Sequence, residues 1–490
     1  MSIIKLSNQD LIQTKLFING EWVSGSTNQE FPVLDPSTNQ ELLKVSIANE
    51  DDYNNAIDIA YDTFQSFKKT NPRDRSNMLN KLYHSMINHK EDLAKILCHE
   101  NGKPYNECIG EITSAASFFQ WYAEEAPRMY GDVIQSGISN KKILTLRQPI
   151  GVVGILTPWN FPAAMITRKL GAALAAGCTS IIKPASATPL TASAIAYLGH
   201  TEAGIPKGVV NVLPTNSSSK IGKLVCEHPK IKKISFTGST GVGKTLQSHA
   251  ASTLKKASFE LGGNAPFIVF QDADLDKALE GLKICKFRQS GQTCVCANRI
   301  FVHESIYDEF LSKALEIVKG FKLGKGYDSD TTHGPLINKA AVQKMDELVK
   351  DAVSKGAKIE IGGSPITQGP LSSGNFFQPT ILTNLKENMD IWEEEIFGPI
   401  APFIPFSSEE QVINWNNKID VGLAGYYYTQ DINKLFKISE DLEIGMIGIN
   451  TGALSEAALP FGGVKKSGFG REGSKYGIED YTVIKSLVLG

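Results

Sequence analysis

Cys294 and Cys296 stand close together in the polar segment 291–296 of this 490-residue sequence. A thiolate is a strong nucleophile, and the small polar residues before Cys294 favour an accessible thiol. Attack of that thiol on a carbonyl carbon creates an adduct whose oxygen carries developing negative charge, which needs preorganised hydrogen-bond donors. Cys294 is therefore a candidate nucleophile. A buried structural cysteine explains the segment equally well when it is taken alone.

Asn160 and Glu260 have side chains that suit the same reaction. Asn160, within Thr157-Pro-Trp-Asn-Phe-Pro162, has an amide that could donate to the developing oxyanion. Glu260, which precedes two glycines, could activate water to hydrolyse a thioester. Each has a simpler explanation in isolation, because Asn160 could be a turn asparagine beside proline and Glu260 a solvated glutamate at a helix end.

The elements that must position these residues alternate between strands and helices. Apolar, β-branched runs predict strands, and the segments between them have helical composition. In the middle of the chain we predict strands at 150–156, 179–183, 209–213 and 233–236, with helices at 163–177, 190–203, 218–227 and from about residue 241. This order favours a parallel sheet with helices on both faces.

The same pattern returns in the second half of the chain. Strand patterns at 265–270 and 299–302, with helices near 305–319 and 338–355, predict a second α/β unit after about residue 260. Segment 141–149 alternates polar and apolar residues, which predicts an exposed strand arm. An unpaired strand edge of this kind invites pairing with another subunit.

The composition limits the classes of partner. The formal net charge is -2, so no broad basic field is expected for nucleic acid or an acidic membrane. No stretch approaches the roughly 20 apolar residues of a membrane span, and residues 1–10 lack a secretory signal, which predicts a cytoplasmic protein. The seven cysteines do not suggest a disulfide framework, and the eight histidines lack metal-ligand spacing, so we expect no metal.

Residues 238–245 support an alternative from another class. Gly238-Ser-Thr-Gly-Val-Gly-Lys-Thr245 matches the phosphate-binding P-loop pattern, and it follows a predicted strand and opens a predicted helix. Asp272, after the predicted strand 265–270, loosely resembles the acidic residue that helps to hold magnesium. A nucleotide hydrolase is therefore an alternative. A non-catalytic binding protein is a third, although the presence of nucleophile, base and amide donor argues against it.

Taken together and in this order, the motifs around Asn160, Glu260 and Cys294 resemble the aldehyde dehydrogenase superfamily over nearly the whole chain. Four further segments resemble the family's cofactor-phosphate turn, adenosine-ribose site, nicotinamide-ribose site and C-terminal substrate-side segment: Phe236-Thr-Gly-Ser-Thr240, Lys183-Pro-Ala-Ser186, Glu394-Glu-Ile-Phe-Gly-Pro399, and Pro460-Phe-Gly-Gly463 with Ser467-Gly468. The resemblance implies an α/β aldehyde dehydrogenase fold, with a Rossmann-like cofactor domain, an α/β catalytic domain and a β arm for oligomerisation.

The resemblance also implies how the chain is divided. Residues 1–126 and 148–259 would form the dinucleotide-binding domain, 260–465 the catalytic domain, and 127–147 with 466–490 the arm. The arm is expected to pair with the C-terminal segment of a partner subunit. The assembly would be a homodimer or homotetramer with closed symmetry.

The family's roles carry over to individual residues. Cys294 would form a thiohemiacetal and then a thioester, Asn160 and the backbone N–H of Cys294 the oxyanion hole, and Glu260 the base that activates water. The resemblance implies that nine residues bind the cofactor: Thr157, Pro158, Trp159, Lys183, Ser186, Gly238, Ser239, Glu395 and Phe397. Lys183 would contact the adenosine ribose, Ser239 the pyrophosphate and Glu395 the nicotinamide ribose.

The finer resemblance is to the succinate-semialdehyde dehydrogenases, through residues 286–298, 421–426 and 470–480. It implies that Arg168, Arg288 and Ser455 bind the substrate carboxylate, for which a guanidinium fork is well suited. It also suggests 4-aminobutyrate breakdown as the pathway. Glutarate semialdehyde, one methylene longer, and a broader aldehyde specificity remain alternatives, because a pocket discriminates one methylene by only about 1–3 kcal/mol.

Two residues lead to finer expectations. NAD-preferring relatives often have glutamate where this chain has Ser186, and a carboxylate there would repel a 2′-phosphate, so we predict that NADP is preferred and that NAD is also accepted. Cys296 suggests a redox switch. In an extended segment its Cα would lie roughly 6.6 Å from that of Cys294, near the upper limit for a disulfide, so the bond would be strained and easily reduced.

Overall fold

A computed structural model describes residues 4–490, so residues 1–3 of the expected first domain lie outside the described part. The strands are β1 Leu16–Ile18, β2 Glu21–Val23, β3 Glu30–Leu34, β4 Glu41–Ser46, β5 Val133–Gln135, β6 Lys142–Pro149, β7 Val152–Leu156, β8 Thr179–Lys183, β9 Val210–Val212, β10 Ile231–Thr237, β11 Lys256–Glu260, β12 Ala265–Val269, β13 Ala297–His303, β14 Lys358–Ile361, β15 Thr380–Thr383, β16 Ile400–Phe406, β17 Val421–Gly422, β18 Ala424–Tyr428, β19 Met446–Ile449, β20 Val464–Lys465, β21 Gly468–Phe469 and β22 Thr482–Leu489. The helices are α1 Glu50–Phe67, α2 Pro72–Asn88, α3 Lys90–Asn101, α4 Tyr105–Glu125, α5 Ala164–Ala176, α6 Leu190–Thr201, α7 Ser218–Glu227, α8 Thr240–Ala251, α9 Leu275–Leu282, α10 Tyr307–Lys319, α11 Lys339–Ser354, α12 Asp390–Glu393, α13 Glu409–Asn417, α14 Ile432–Asp441 and α15 Ser474–Glu479.

An eight-stranded sheet forms the first α/β unit, in the order β2-β1-β9-β8-β7-β10-β11-β21. The five central strands β9, β8, β7, β10 and β11 are parallel, which confirms the predicted parallel sheet. They are short apolar runs buried against helices, and α5 ends where Gly177 adopts a left-handed backbone with φ 91°. The four strands predicted in the middle of the chain are confirmed as β7 to β10.

A seven-stranded sheet forms the second unit, in the order β14-β15-β16-β13-β12-β18-β19. All its strands except β14 run parallel, which confirms the second α/β unit expected after about residue 260. Separate apolar clusters pack against the two sheets. The predicted fold class is confirmed.

A three-stranded antiparallel sheet, β22-β6-β5, forms the arm. The strand predicted at 141–149 is confirmed as β6. Within the chain it pairs with the chain's own C-terminal strand, and pairing of the arm with a partner's C-terminal segment stays a prediction. The C-terminal strand β22 of the same chain pairs with β6 along its whole length, because α15 packs on α4 and α5 and so brings residues 482–489 beside it. Within the segment assigned to the arm, β21 instead joins the edge of the eight-stranded sheet.

The parallel strands β7, β8, β10 and β11 all end at the same edge of the eight-stranded sheet. The loops after β7 and β10 contain residues 157–160 and 238–239, and β8 and β11 end at Lys183 and Glu260. Ligands of open α/β sheets bind outside the carboxyl ends of the strands. Residues that are far apart in the sequence therefore meet here.

Candidate active site

Cys294 lies where two cavities meet. We call one the arginine cavity; its lining includes Arg168, Arg288, Thr293, Cys294, Ser455 and Phe461. We call the other the Phe397 cavity; its lining includes Pro158, Trp159, Asn160, Gly238, Ser239, Cys294, Glu395 and Phe397. A half-buried thiol at this junction can contact a ligand in either cavity.

The thiol of Cys294 donates to Oε1 of Glu260 at 3.0 Å. Burial raises the pKa of both groups; the charge of Glu472 adds to the effect on Glu260, and that of Glu260 adds to the effect on Cys294. A neutral thiol bonded to a carboxylate becomes a thiolate by passing one proton across this bond. The sequence suggested Glu260 only as the base for water, whereas the structure also brings it against the nucleophile.

A closed ring of buried polar groups surrounds Glu260. Nη1 of Arg168 lies 3.5 Å from Oε2 of Glu260, and Nε of Arg168 lies 3.6 Å from Oε2 of Glu472. Glu472 also pairs with Lys169, whose ammonium donates to the Thr237 hydroxyl at 2.6 Å. Thr237 in turn donates to Oε2 of Glu260 at 3.1 Å. Lys169 lies in none of the sequence motifs, and Thr237 and Glu472 lie in family-like segments that were not expected to meet Glu260. The ring forms only where α5, the end of β10 and the C-terminal segment come together.

Asn160 is tied to the nucleophile's own loop. Its Nδ2 donates to the carbonyl oxygen of Gln292 at 3.2 Å, and its Oδ1 accepts from the N–H of Phe161 at 3.1 Å. A primary amide has two N–H groups, so one remains for an oxyanion. This arrangement suits the expected role.

Lys103, Glu107 and Glu111 are further lining residues of the arginine cavity that sequence reasoning missed. Lys103 follows Gly102 before a proline, and nothing in that local pattern indicates its contacts with Asn160 and Glu111. Glu107 accepts from the N–H of Gln289 at 2.8 Å, and burial raises its pKa to about 7. These side chains reach the site from α4 and from the turn before it.

The arginine cavity contains the buried guanidinium of Arg168 and the half-buried guanidinium of Arg288. Arg168 lies over the ring of Phe461 at 4.3 Å, and Arg288 lies over the ring of Phe161 at 5.5 Å. Among residues 4–490, no group forms a hydrogen bond with Nε or Nη1 of Arg168 or with Nε of Arg288. Nη1 and Nε of Arg168 nevertheless lie 3.5 and 3.6 Å from the carboxylates of Glu260 and Glu472, whereas Nε of Arg288 forms no ion pair within the described residues. Buried N–H donors are normally satisfied, so Nε of Arg288 points to an anionic ligand. Ser455 lines the same cavity, as the sequence suggested.

The Phe397 cavity suits a ribose and a flat ring. Oε1 of Glu395 accepts from the N–H of Gly263 at 3.1 Å, and burial raises the pKa of Glu395 to about 7. A Cβ on Gly262 would lie 2.8 Å from Oε2 of this carboxylate, so glycine permits the close approach. Phe397 has a left-handed backbone with φ 56° and meets the edge of Trp159 at 5.6 Å between ring centroids.

A third cavity, the Lys183 cavity, lies beside the sheet edge and includes Thr157, Lys183, Ser218, Ser219 and His249 in its lining. Burial lowers the pKa of Lys183 to about 8, and the residues that line this cavity include no carboxylate. A buried ammonium without a local acid fits the phosphate of a dinucleotide. Ser239 begins α8 and accepts from the N–H of Val242 at 3.4 Å, which leaves a helix N-terminus at this end of the site.

Three residues predicted from the sequence are not among the lining residues of the three cavities: Ser186, Glu260 and Cys296. Glu260 lies behind Cys294, with which it forms a hydrogen bond. Ser186 is half-buried in the turn after β8. Cys296 is buried and its thiol lies 3.4 Å from Nζ of Lys286, whereas the thiol of Cys294 faces Glu260. The expectation of an extended segment is wrong, because the N–H of Cys296 closes a turn onto the carbonyl oxygen of Thr293 at 3.1 Å. Both cysteines are free thiols, and the redox switch stays a prediction.

Comparison with known proteins decides between the alternatives that the sequence left open. A model of the aldehyde dehydrogenase family matches residues 22–487. The chain belongs to the aldehyde dehydrogenase family. The expected superfamily is thus confirmed, and the nucleotide-hydrolase alternative is not supported. Residues 238–245 nevertheless span the turn after β10 and the first residues of α8, as a P-loop would.

Three relatives illustrate the match. An enzyme of Saccharomyces cerevisiae named succinate-semialdehyde dehydrogenase [NADP(+)] is 50% identical over 99% of this chain and 97% of its own. A Pseudomonas putida enzyme named 3-sulfolactaldehyde dehydrogenase is 46% identical over 100% of this chain and 99% of its own. The crystal structure of a succinate-semialdehyde dehydrogenase from Burkholderia pseudomallei has a TM-score of 0.96 and 46% identity, and the match covers 99% of each chain.

Two further observations concern ligands and membranes. No helix within residues 4–490 combines the length and apolar character that a membrane span requires. Over the same described range, no group of three or more His, Cys, Asp and Glu side chains could hold a metal ion.

Proposed function

We propose that this aldehyde dehydrogenase oxidises succinate semialdehyde to succinate with NADP, and that it also accepts NAD. The observation that carries the proposal is that Arg168, Arg288 and Ser455 line one cavity together with Cys294. A guanidinium can bond both oxygens of a carboxylate, so the cavity suits an aldehyde that ends in one. The names of the yeast and Burkholderia relatives support the same substrate, and the yeast name supports NADP.

The catalytic residues act in a fixed order in this proposal. Glu260 accepts the Cys294 proton, and the sulfur adds to the aldehyde carbon to form a thiohemiacetal. The free N–H of Asn160 and the backbone N–H of Cys294 donate to its oxygen. NADP, when bound, supplies the acceptor for the hydride that the oxidation releases. Glu260, ionised again, then accepts a proton from the water that hydrolyses the thioester.

The residues near the sheet edge would hold the cofactor. Thr157, Lys183 and Ser186 would surround the adenosine ribose, where the ammonium of Lys183 favours a 2′-phosphate. Gly238 and Ser239 would meet the pyrophosphate at the N-terminus of α8. Pro158, Trp159, Glu395 and Phe397 would hold the nicotinamide ribose and ring.

A panel of aldehydes with both cofactors tests the substrate. We expect kcat/KM to be highest for succinate semialdehyde with NADP, lower for glutarate semialdehyde, and lowest for propanal, which lacks the carboxylate. A sulfonate is also an anion that a guanidinium can bind, and the name of the P. putida relative favours 3-sulfolactaldehyde as a second candidate. A higher kcat/KM for that compound, or for propanal, would reject succinate semialdehyde as the main substrate.

We also propose that the enzyme is a cytoplasmic homo-oligomer that associates through the arm. Strand β5 is an edge strand, and Val133, Ile484 and Val488 of the arm expose apolar side chains. Such an edge is a site for pairing between subunits. Light scattering coupled to size exclusion would separate dimer, tetramer and monomer, and a monomer would reject the assembly. Cell fractionation would test the location.

A further inference from the structure

Arg168 contacts both the substrate-side cavity and the base of the active site. Its guanidinium lines the arginine cavity, and its Nη1 lies 3.5 Å from Oε2 of Glu260. Glu260 in turn accepts the S–H of Cys294 at 3.0 Å. One buried guanidinium therefore adjoins both the cavity that would hold the substrate's carboxylate and the side chain that accepts the hydrogen bond of the nucleophile.

Two cations and two carboxylates, Glu260 among them, face each other before the substrate binds. Arg168 and Lys169, from α5, face the carboxylates of Glu260 and Glu472. Glu395 contributes negative charge from the Phe397 cavity, and Cys294 contributes a neutral thiol. A substrate carboxylate adds one negative charge to this buried cluster, and a low-dielectric interior resists such an excess.

We propose that Arg168 couples the two ends of the substrate. When the guanidinium of Arg168 pairs with the substrate's carboxylate, it stabilises ionised Glu260 less. Glu260 then binds the proton from Cys294 more tightly. The proposal rests on the function proposed above. The effect falls on Glu260 more than on Glu472, because Glu472 keeps Lys169 as a second cation. The carboxylate is then an activator of the nucleophile as well as an anchor.

The proton transfer is balanced within the site. The S–H bond of Cys294 breaks, an O–H bond forms on Oε1 of Glu260, and the electron pair stays on sulfur, which attacks the aldehyde carbon. Three C–C bonds of about 1.5 Å put the carboxylate carbon about 4 Å from the carbonyl carbon, so a four-carbon chain can contact Cys294 and approach Arg168 together. Glu260 must lose the proton again before it can activate water.

The coupling predicts different pH dependence for two substrates of the same shape. Succinate semialdehyde has the carboxylate, and its amide, 4-oxobutanamide, does not. The rate constant of thioester hydrolysis, measured by rapid quench after a single turnover, should rise with pH as Glu260 ionises. We expect the midpoint for succinate semialdehyde to lie about one pH unit above that for the amide, because Arg168 stabilises ionised Glu260 less when it is paired. Equal midpoints in the unmodified enzyme would overturn the coupling.

Two variants locate the effect. Arg168→Gln should remove the difference between the midpoints. Arg288→Gln should weaken binding of succinate semialdehyde but leave the difference intact, because Arg288 is not an ion-pair partner of Glu260. If Arg168→Gln does not fold, Arg168→Lys replaces it as the test variant. Because lysine keeps a cation at this position, Arg168→Lys should keep part of the difference between the midpoints. A difference that survives Arg168→Gln would overturn the assignment to this residue.

Failure of the coupling can be distinguished from failure of the proposed substrate. If neither arginine variant changes the ratio of KM between succinate semialdehyde and the amide, the carboxylate site itself is wrong. If the KM ratio changes but the midpoints coincide in the unmodified enzyme, the carboxylate site stands and the coupling alone fails.

Discussion

Nζ of Lys103 lies 2.8 Å from the backbone carbonyl oxygen of Asn160 and is buried. The same ammonium lies 2.5 Å from Oε2 of Glu111 and 3.0 Å from Oε1 of Gln289. Glu111 also accepts from the N–H of Ala163 at 2.9 Å, just before α5 begins. One lysine thus ties the loop of the expected oxyanion donor to α4 and to the segment before Cys294.

Lys103→Met should destabilise the protein and slow the reaction. The change leaves Glu111 buried without its cation, and breaking a buried ion pair of this kind costs about 3–5 kcal/mol. We expect a clear fall in the free energy of unfolding in denaturant titration, and a lower kcat because Asn160 loses its support. Lys207→Met is the matched control, because Lys207 pairs with Glu21 on the surface and such pairs contribute little. Equal stability of the two variants would contradict the prediction.

Glu260→Gln should slow both chemical stages. A glutamine cannot accept the Cys294 proton or a proton from water, and loss of a positioned base typically lowers the rate about 10²–10⁴-fold. Stopped-flow absorbance separates the stages, because the first turnover reports oxidation and the steady state reports hydrolysis. If the first turnover keeps its full rate, Glu260 acts only on water and its contact with Cys294 has no catalytic role.

Selectivity for NADP should depend on pH through Lys183. Burial lowers its pKa to about 8, so the ammonium loses its proton as pH rises through that value. Only the charged form of Lys183 attracts a 2′-phosphate. The pH dependence of kcat/KM reports the ionisation of groups in the free enzyme, so it can detect this titration. We therefore expect the ratio of kcat/KM for NADP to that for NAD to fall above about pH 8. In Lys183→Met the ratio should be lower than in the unmodified enzyme below pH 8, and it should not change as pH rises through that value. A ratio that stays constant would assign the phosphate to other residues.

Peroxide should inactivate the enzyme in a way that dithiothreitol reverses. Cys296 lies two residues from the nucleophile, and a strained disulfide between them would be easily reduced. Because the thiols face different partners, the turn must rearrange before the bond forms, so we expect slow inactivation. Cys296→Ser should abolish the recovery. Failure of dithiothreitol to restore the unmodified enzyme would end the redox hypothesis.

The sequence alone was sufficient to predict the features that depend on local residue patterns. Runs such as residues 179–183 and 265–270 are apolar because parallel strands are buried on both faces, so the strands and the alternation could be predicted. The motifs around Cys294, Glu260 and Asn160 pointed to a nucleophile, a base and an oxyanion donor, and their order indicated the family.

Only the tertiary structure decided which side chains meet. The proximity of Cys294 to Glu260, the ring through Thr237 and Glu472, and the support from Lys103 depend on packing between segments tens to hundreds of residues apart. It also decided that residues 293–296 form a turn and that β22 closes back onto β6 of its own chain. Local residue patterns determine backbone preference and burial, whereas distances between distant side chains follow from how whole elements pack.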